Sequence, residues 1–436
     1  MHYLSPRHAL LLAAALLLPA SALAQAPQSA PVRINAKLIK TMAPAGDIID
    51  GAIIIENGKI TAVGKAATLP TPANATIIEA NIAVPGLIDG RSTVGLSGLL
   101  NTKADSDQLE RSAPIQPELR AIDAFNPSDP LVEFVRTLGV TTIHTGHAPG
   151  ELVSGQTLIA KTSGGTVADC VITPVAMISA TLGPSALKGG AAVPGNRSKA
   201  IALLRAELIK AQEYRDRLAR PAKGEKADAP GADSKLRDDS KLDAESKPIG
   251  RDLRLESLVD VLSGKTPLLV TAQSTQDIAG ALRLAEEFKF KLILDGGAEC
   301  YTLIDQIKSA GIPIIIHPTM TRAYGEMQNA SFETASKLKA AGIPFCFQAG
   351  YEAYVPKTRI VLFEAAMAAA HGLGQNAALR AITIDAANLL GISDRVGSLE
   401  PGKDGDVACY DGDPFEFTTH CTAVIIGGKH FPQPPR

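Results

Sequence analysis

Hydrophobic and polar positions divide the chain into zones with different periods. Residues 33–83 read as short β segments. Within them, residues 51–64 (GAIIIENGKITAVG) set two β-branched runs around Asn57-Gly58. An Asn-Gly pair between such runs signals a hairpin, because a two-residue turn of this kind needs positive φ at both central positions. Residues 395–430 return to short strands with Gly and Asp turns, at 406–410 and 422–429. Neither piece is large enough to fold well alone. The two ends are therefore expected to pair into one small β domain made of residues 33–83 and 395–432.

Between the ends the period changes. A helix over 130–138 precedes a β-branched strand at 140–144. A strand at 268–271 leads into an amphipathic helix at 275–288, then a strand at 292–294 and a helix at 301–310. Strands at 312–317 and 343–347 flank a helix at 332–341, and helices at 359–371 and 376–390 follow. Repeated strand–helix units with short connections predict a parallel α/β fold. The span 84–394 is long enough for a (β/α)8 barrel. A doubly wound sheet is the alternative, but no Gly-x-Gly-x-x-Gly follows a strand. The helix at 198–219 is amphipathic and is expected on the barrel exterior. Residues 220–250 mix Lys, Asp, Glu, Ser, Pro and Gly with almost no apolar side chains, so they read as a flexible charged insertion.

Composition narrows the class. The chain has 436 residues, 45% of them hydrophobic, a formal net charge of −2 and no Trp. That balance gives no basic surface for nucleic acid. Arg7 and His8 precede an apolar run at 9–18, and Ala22-Leu23-Ala24 follows, which reads as a cleaved signal peptide over residues 1–24. The run is too short to span a bilayer. The expectation is an exported protein, periplasmic or secreted, with no membrane span in the mature chain. Of the five cysteines, Cys170, Cys300, Cys346, Cys409 and Cys421, the last two share the C-terminal β segment and are the candidate pair. No Cys-x-x-Cys is present.

The run at 84–93 reads Val-Pro-Gly-Leu-Ile-Asp-Gly-Arg-Ser-Thr. Together with residues 50–60 (DGAIIIENGKI), Gly139-Val140-Thr141-Thr142, residues 386–392 (AANLLGI) and residues 397–406 (GSLEPGKDGD), it resembles the amidohydrolase superfamily, in particular its exported imidazolonepropionase-like group. The resemblance covers residues 50–100 and 255–428. It implies a TIM-type barrel with a composite β-sandwich built from both chain ends. It also implies hydrolysis of C–N bonds in cyclic amides or peptide-like compounds, by a water activated on one or two divalent ions. The ligands it implies are His-x-His on strand 1, a His on each of strands 5 and 6, and an Asp on strand 8. Here those places hold Arg91 and Thr93, Thr271 with Gln273 nearby, Gly296, and Gly350. A guanidinium is always protonated and repels a cation. With the whole set replaced, neither a metal nor another cofactor is expected. A slip in register offers Asp295 on strand 6, but no carboxylate on strand 8 before Glu352.

Other residues near predicted strand ends supply candidate chemistry. His144, His147, Asp295 and His317 form the candidate catalytic group, with a His as general base oriented by Asp295. His144, His147 and Asp295 also have the residue types of a three-ligand zinc site. The opposing reading is that these histidines only hydrogen-bond locally. Arg91 and Gln273 are the candidate substrate contacts; a guanidinium at a barrel mouth binds a carboxylate bidentately. Alternatively, Arg91 pairs with Asp89 or Asp295 and fills the metal space. Gly264-Lys265-Thr266 fails as a phosphate loop because Val259 replaces the first glycine. Two functional readings follow. One is a non-catalytic relative that binds a small-molecule ligand, or assembles as a homo-oligomer or with an active homologue. The other is a metal-free hydrolase rebuilt around His144, His147 and Asp295.

Overall fold

The computed structural model describes residues 30–99, 102–189, 193–219, 250–320, 323–351 and 361–433. The signal peptide assigned to residues 1–24 lies outside them, as do residues 220–249 of the charged insertion and Glu352.

Four N-terminal strands, β1 (Val32–Lys40), β2 (Asp47–Glu56), β3 (Lys59–Lys65) and β4 (Thr76–Pro85), come first. Asn57 and Gly58 both have positive φ, at 52° and 77°, and close the β2–β3 hairpin as their sequence predicts. The barrel strands are β5 (Leu87–Ser92), β6 (Val140–Gly146), β7 (Val153–Lys161), β9 (Ile178–Thr181), β10 (Leu268–Ala272), β11 (Leu292–Gly296), β12 (Ile314–Ile316) and β13 (Phe345–Phe347). A short β8 (Val171–Thr173) pairs only with β7. The helices are α1 (Pro130–Thr137), α2 (Val167–Cys170), α3 (Arg197–Ala219), α4 (Leu253–Leu262), α5 (Thr275–Phe288), α6 (Ile304–Ala310), α7 (Thr334–Ala341), α8 (Val361–Ala368), α9 (Gln375–Ala381) and α10 (Ile384–Leu389). Three C-terminal strands close the chain: β14 (Val407–Tyr410), β15 (Cys421–Ile426) and β16 (Lys429–Pro432).

Both chain ends join in one sheet, ordered β16-β15-β14-β4-β1-β2-β3. The expected sandwich takes the form of one continuous seven-stranded ladder. Its core mixes the two ends: Ile34, Ile53 and Ile60 pack with Val407 and Ile425. Cys409 stands opposite Ala423 and Cys421 opposite Tyr410 across β14–β15. The register does not set the two thiols face to face.

The barrel strands neighbour one another in chain order from β5 to β13. A bridge between Ser92 and Gly350 joins the last strand to the first. The departure from the expected parallel pattern is β7, which runs antiparallel to β6 and β9. The cause is local: residues 147–152 link β6 to β7, and a parallel crossover needs a dozen residues or more. On the outside, α3 buries Ala200, Leu204, Leu208, Ala211 and Tyr214, a stripe at helical spacing, as its amphipathic pattern requires.

Inside, the period of two along each strand builds layers. Ile88, Ile159, Leu269, Ile293, Ile315 and Cys346 share one apolar cluster, joined by Ala386, Ala387 and Leu390 at its α10 side. Two residues further along β10, β11, β12 and β13 come Thr271, Asp295, His317 and Gln348. The second layer is polar, and it lies toward the C-terminal ends of the parallel strands.

Candidate functional site at the barrel end

A carboxyl group anchors each side of the polar layer. Asp295 is fully buried; it accepts from Thr271 Oγ1 at 2.5 Å and from Gln348 Nε2 at 2.7 Å. Burial raises its pKa, while the Arg91 charge and these hydrogen bonds oppose the rise. Asp89 Oδ1 accepts from the backbone N–H of Arg91 at 3.1 Å and of Ala349 at 3.0 Å, fastening β5 to the end of β13. Burial pushes Asp89 up to about 7 against those two bonds, and the Glu364 charge adds to the rise.

Arg91 has no solvent exposure. One guanidinium nitrogen, Nη2, donates to the backbone oxygen of His147 and to Ser179 Oγ at 3.4 Å; Nη1 donates to the Ser92 carbonyl at 3.5 Å. Burial lowers its pKa, and the charges of Asp295, Tyr351 and Asp89 hold the proton on. The residue expected as a substrate contact is thus sealed from solvent, with Nη1 and Nη2 turned to protein oxygens and Nε buried without a hydrogen-bond partner.

The histidines divide in two. His144 is fully buried, with Nδ1 2.7 Å from the Gly90 carbonyl and Nε2 2.7 Å from Thr157 Oγ1. A carbonyl only accepts, so Nδ1 carries the proton and Nε2 accepts from the Thr157 hydroxyl. Burial, then the Arg91 charge, takes its pKa down to about 3. His147 is taken down to about 4 by the same causes. Its ring is packed tightly, since a Cβ on Gly155 would lie 2.5 Å from its Cδ2. His317 Nδ1 donates to Pro318 O at 2.9 Å, and burial lowers its pKa. Its Nε2 is buried without a hydrogen-bond partner.

The expected His–Asp relay is not built. The hydrogen bonds of Asp295 run to Thr271 and Gln348, and those of His144 to Gly90 and Thr157. Burial and the Arg91 charge hold both His144 and His147 neutral, but only His144 is bonded to the scaffold through both ring nitrogens; those of His147 are buried without a hydrogen-bond partner. Gln273 is spent too: its Oε1 accepts from Ala298 N at 3.1 Å, and its amide fills the space beside Gly296. The sequence reading missed Glu364, fully buried on α8, whose Oε2 accepts from Met320 N at 2.7 Å. A lone carboxylate in the apolar run VLFEAAMA was its signal. Gln348, two residues before the strand-8 position read at Gly350, is the residue that reaches Asp295.

The fold and these motifs can be set against known proteins. A family profile described as "Amidohydrolase family" matches residues 358–431. A solved amidohydrolase from Thermotoga maritima MSB8 is 25% identical with a TM-score of 0.79, covering 92% of this chain and all of that one. The chain belongs to the amidohydrolase superfamily. Its curated relative "Amidohydrolase tasK" from Hapsidospora irregularis is 23% identical over 403 residues, covering 87% of this chain. The match spans only 39% of that relative's length. A zinc-bound adenosine deaminase from Xanthomonas campestris shares the fold at 14% identity and a TM-score of 0.53, covering 92% of each chain.

Superfamily membership implies a divalent ion at this barrel end, and the residues present do not fit one. Arg91 puts a fixed positive charge where ligands would converge. The Asp295 oxygens and both His144 nitrogens already hold hydrogen bonds. Among the described residues, no three His, Cys, Asp or Glu side chains gather as ion ligands.

Proposed function

We propose that this protein is an exported amidohydrolase-superfamily member that has lost the metal-dependent hydrolytic step and acts as a partner subunit. The observation that carries the reading is Arg91, a buried guanidinium held by His147, Ser179 and Ser92 among the carboxyl groups of the barrel end. A water-activating ion needs anionic or neutral donors with free lone pairs. This site offers a cation, and its Asp295 oxygens and His144 nitrogens already hold hydrogen bonds. The rim supports an assembly role over small-molecule binding. Among the described residues there, Thr93, His147, Glu151, Gln273, His317 and Thr319 are all buried and offer a ligand little polar surface. Export rests on the N-terminal apolar run. The family reaction, C–N hydrolysis, belongs in this reading to an active homologue paired with this chain.

The test is an activity panel of cyclic amides and dipeptides, run with added zinc and with chelator. A co-purification with a His-x-His homologue from the same source runs beside it. We expect no turnover in either condition and a stable complex with the homologue. Chelator-sensitive turnover by this chain alone, or no association with the homologue, would overturn the reading.

A further inference from the structure

We infer that the barrel end is a receptor for a guanidinium group, now filled by the chain's own Arg91, and that removing this side chain opens a binding site for a small guanidinium-class cation. The inference rests on the reading of Arg91 above and goes further, because it assigns a ligand class to the space itself.

Three features make the space a receptor rather than a gap. First, its acceptors are fixed before the guanidinium arrives. The His147 and Ser92 carbonyls belong to the backbone, and Ser179 sits on β9, a buried strand of the barrel wall. A planar fork of N–H donors matches spread oxygens better than a point-like ammonium does. Second, the negative charge is held around the space and not against one nitrogen. Asp295 and Asp89 act on Arg91 through charge, and each is pinned by other donors. They keep their places if the arginine side chain is removed. Third, the donor set excludes the competing occupant. No three ion-ligating side chains gather among the described residues, so an open space does not revert to a zinc site. Deleting only the arginine leaves buried carboxyl groups uncompensated, and such a site gains from any cation that restores both charge and hydrogen bonds.

The experiment is chemical rescue of Arg91→Ala in the full-length protein, read by melting temperature. The variant is expected to melt well below wild type. Millimolar methylguanidinium should raise its midpoint saturably while leaving wild type unchanged or slightly lowered. Potassium, methylammonium and zinc should give no comparable rise. If Arg91→Ala does not fold alone, refolding yield with and without methylguanidinium replaces the melt. In a second variant pair, Arg91→Met should be destabilised at pH 8 and regain part of the loss on adding Asp295→Asn. Rescue by zinc instead, no saturable rescue, or an Arg91→Met chain as stable as wild type would each overturn the inference. Zinc-dependent turnover by the wild-type chain would strike the proposed function and leave the rescue result to stand by itself.

Discussion

A buried guanidinium is costly unless its donors and its charge find partners. Arg91 sets Nη1 and Nη2 on oxygens from three places in the barrel, leaves Nε without a partner, and has its charge opposed by Asp295 and Asp89. The arrangement has a signature in pH. The folded-state pKa of Asp89 lies near 7, above its ordinary 3.8. A raised carboxyl contributes stability that is fully present below the ordinary value and is lost as pH rises through the raised one. Asp89→Asn removes that loss and keeps an oxygen for the Arg91 and Ala349 amides. Relative to wild type, the variant should gain stability as pH rises from about 4 to about 7, by at most about 1.4 kcal/mol per pH unit. Paired urea unfolding curves across that range check it; a difference independent of pH would show that Asp89 stays ionised throughout. At this scale the sequence shows which residue types stand at the strand ends, but not which bonds they make. Arg91, His144 and Asp295 are visible as candidates. That His144 serves Gly90 and Thr157, and that Glu364 arrives from a helix beyond strand 8, depends on packing that no local pattern encodes.

Strands and helices were more legible, because their signals are periodic. The Asn57-Gly58 hairpin and α5 lie where the pattern puts them. The long helix read at 376–390 instead splits into α9 and α10, with Thr383 at φ −137°, ψ −102° between them. No element was assigned to residues 145–197, and there β7 runs against its neighbours. Its nine residues are all buried, so the polar side chains in VSGQTLIAK mask a core strand. The single glycine of β5, Gly90, has a mechanical reason as well. A Cβ on Gly90 would fall 2.6 Å from Cys346 Sγ and from the Phe347 carbonyl across the barrel seam. Gly90→Ala is therefore expected to cost roughly 1–3 kcal/mol by overpacking, read as a lower denaturation midpoint. A neutral substitution would mean that β5 and β13 are less tightly closed than the Asp89–Ala349 bond implies.

The chain ends and the barrel form one interlocked molecule. Val407 pairs with Pro85, at the end of the strand that leads into β5. Lys161 on barrel strand β7 forms salt bridges with Asp404 and Asp406. The block at 397–406 resembles a family motif in sequence, and in space its acidic residues tie the barrel to the composite sheet. In the function proposed above, superfamily membership does not carry over the chemistry of the barrel end, where Arg91 is buried among carboxyl groups. The most direct test is the metal content of the mature protein after equilibration with excess zinc and removal of unbound ion. No stoichiometric metal is expected, and the melting temperature should be indifferent to chelator. One or two tightly held ions per chain, with a chelator-induced fall in melting temperature, would contradict it.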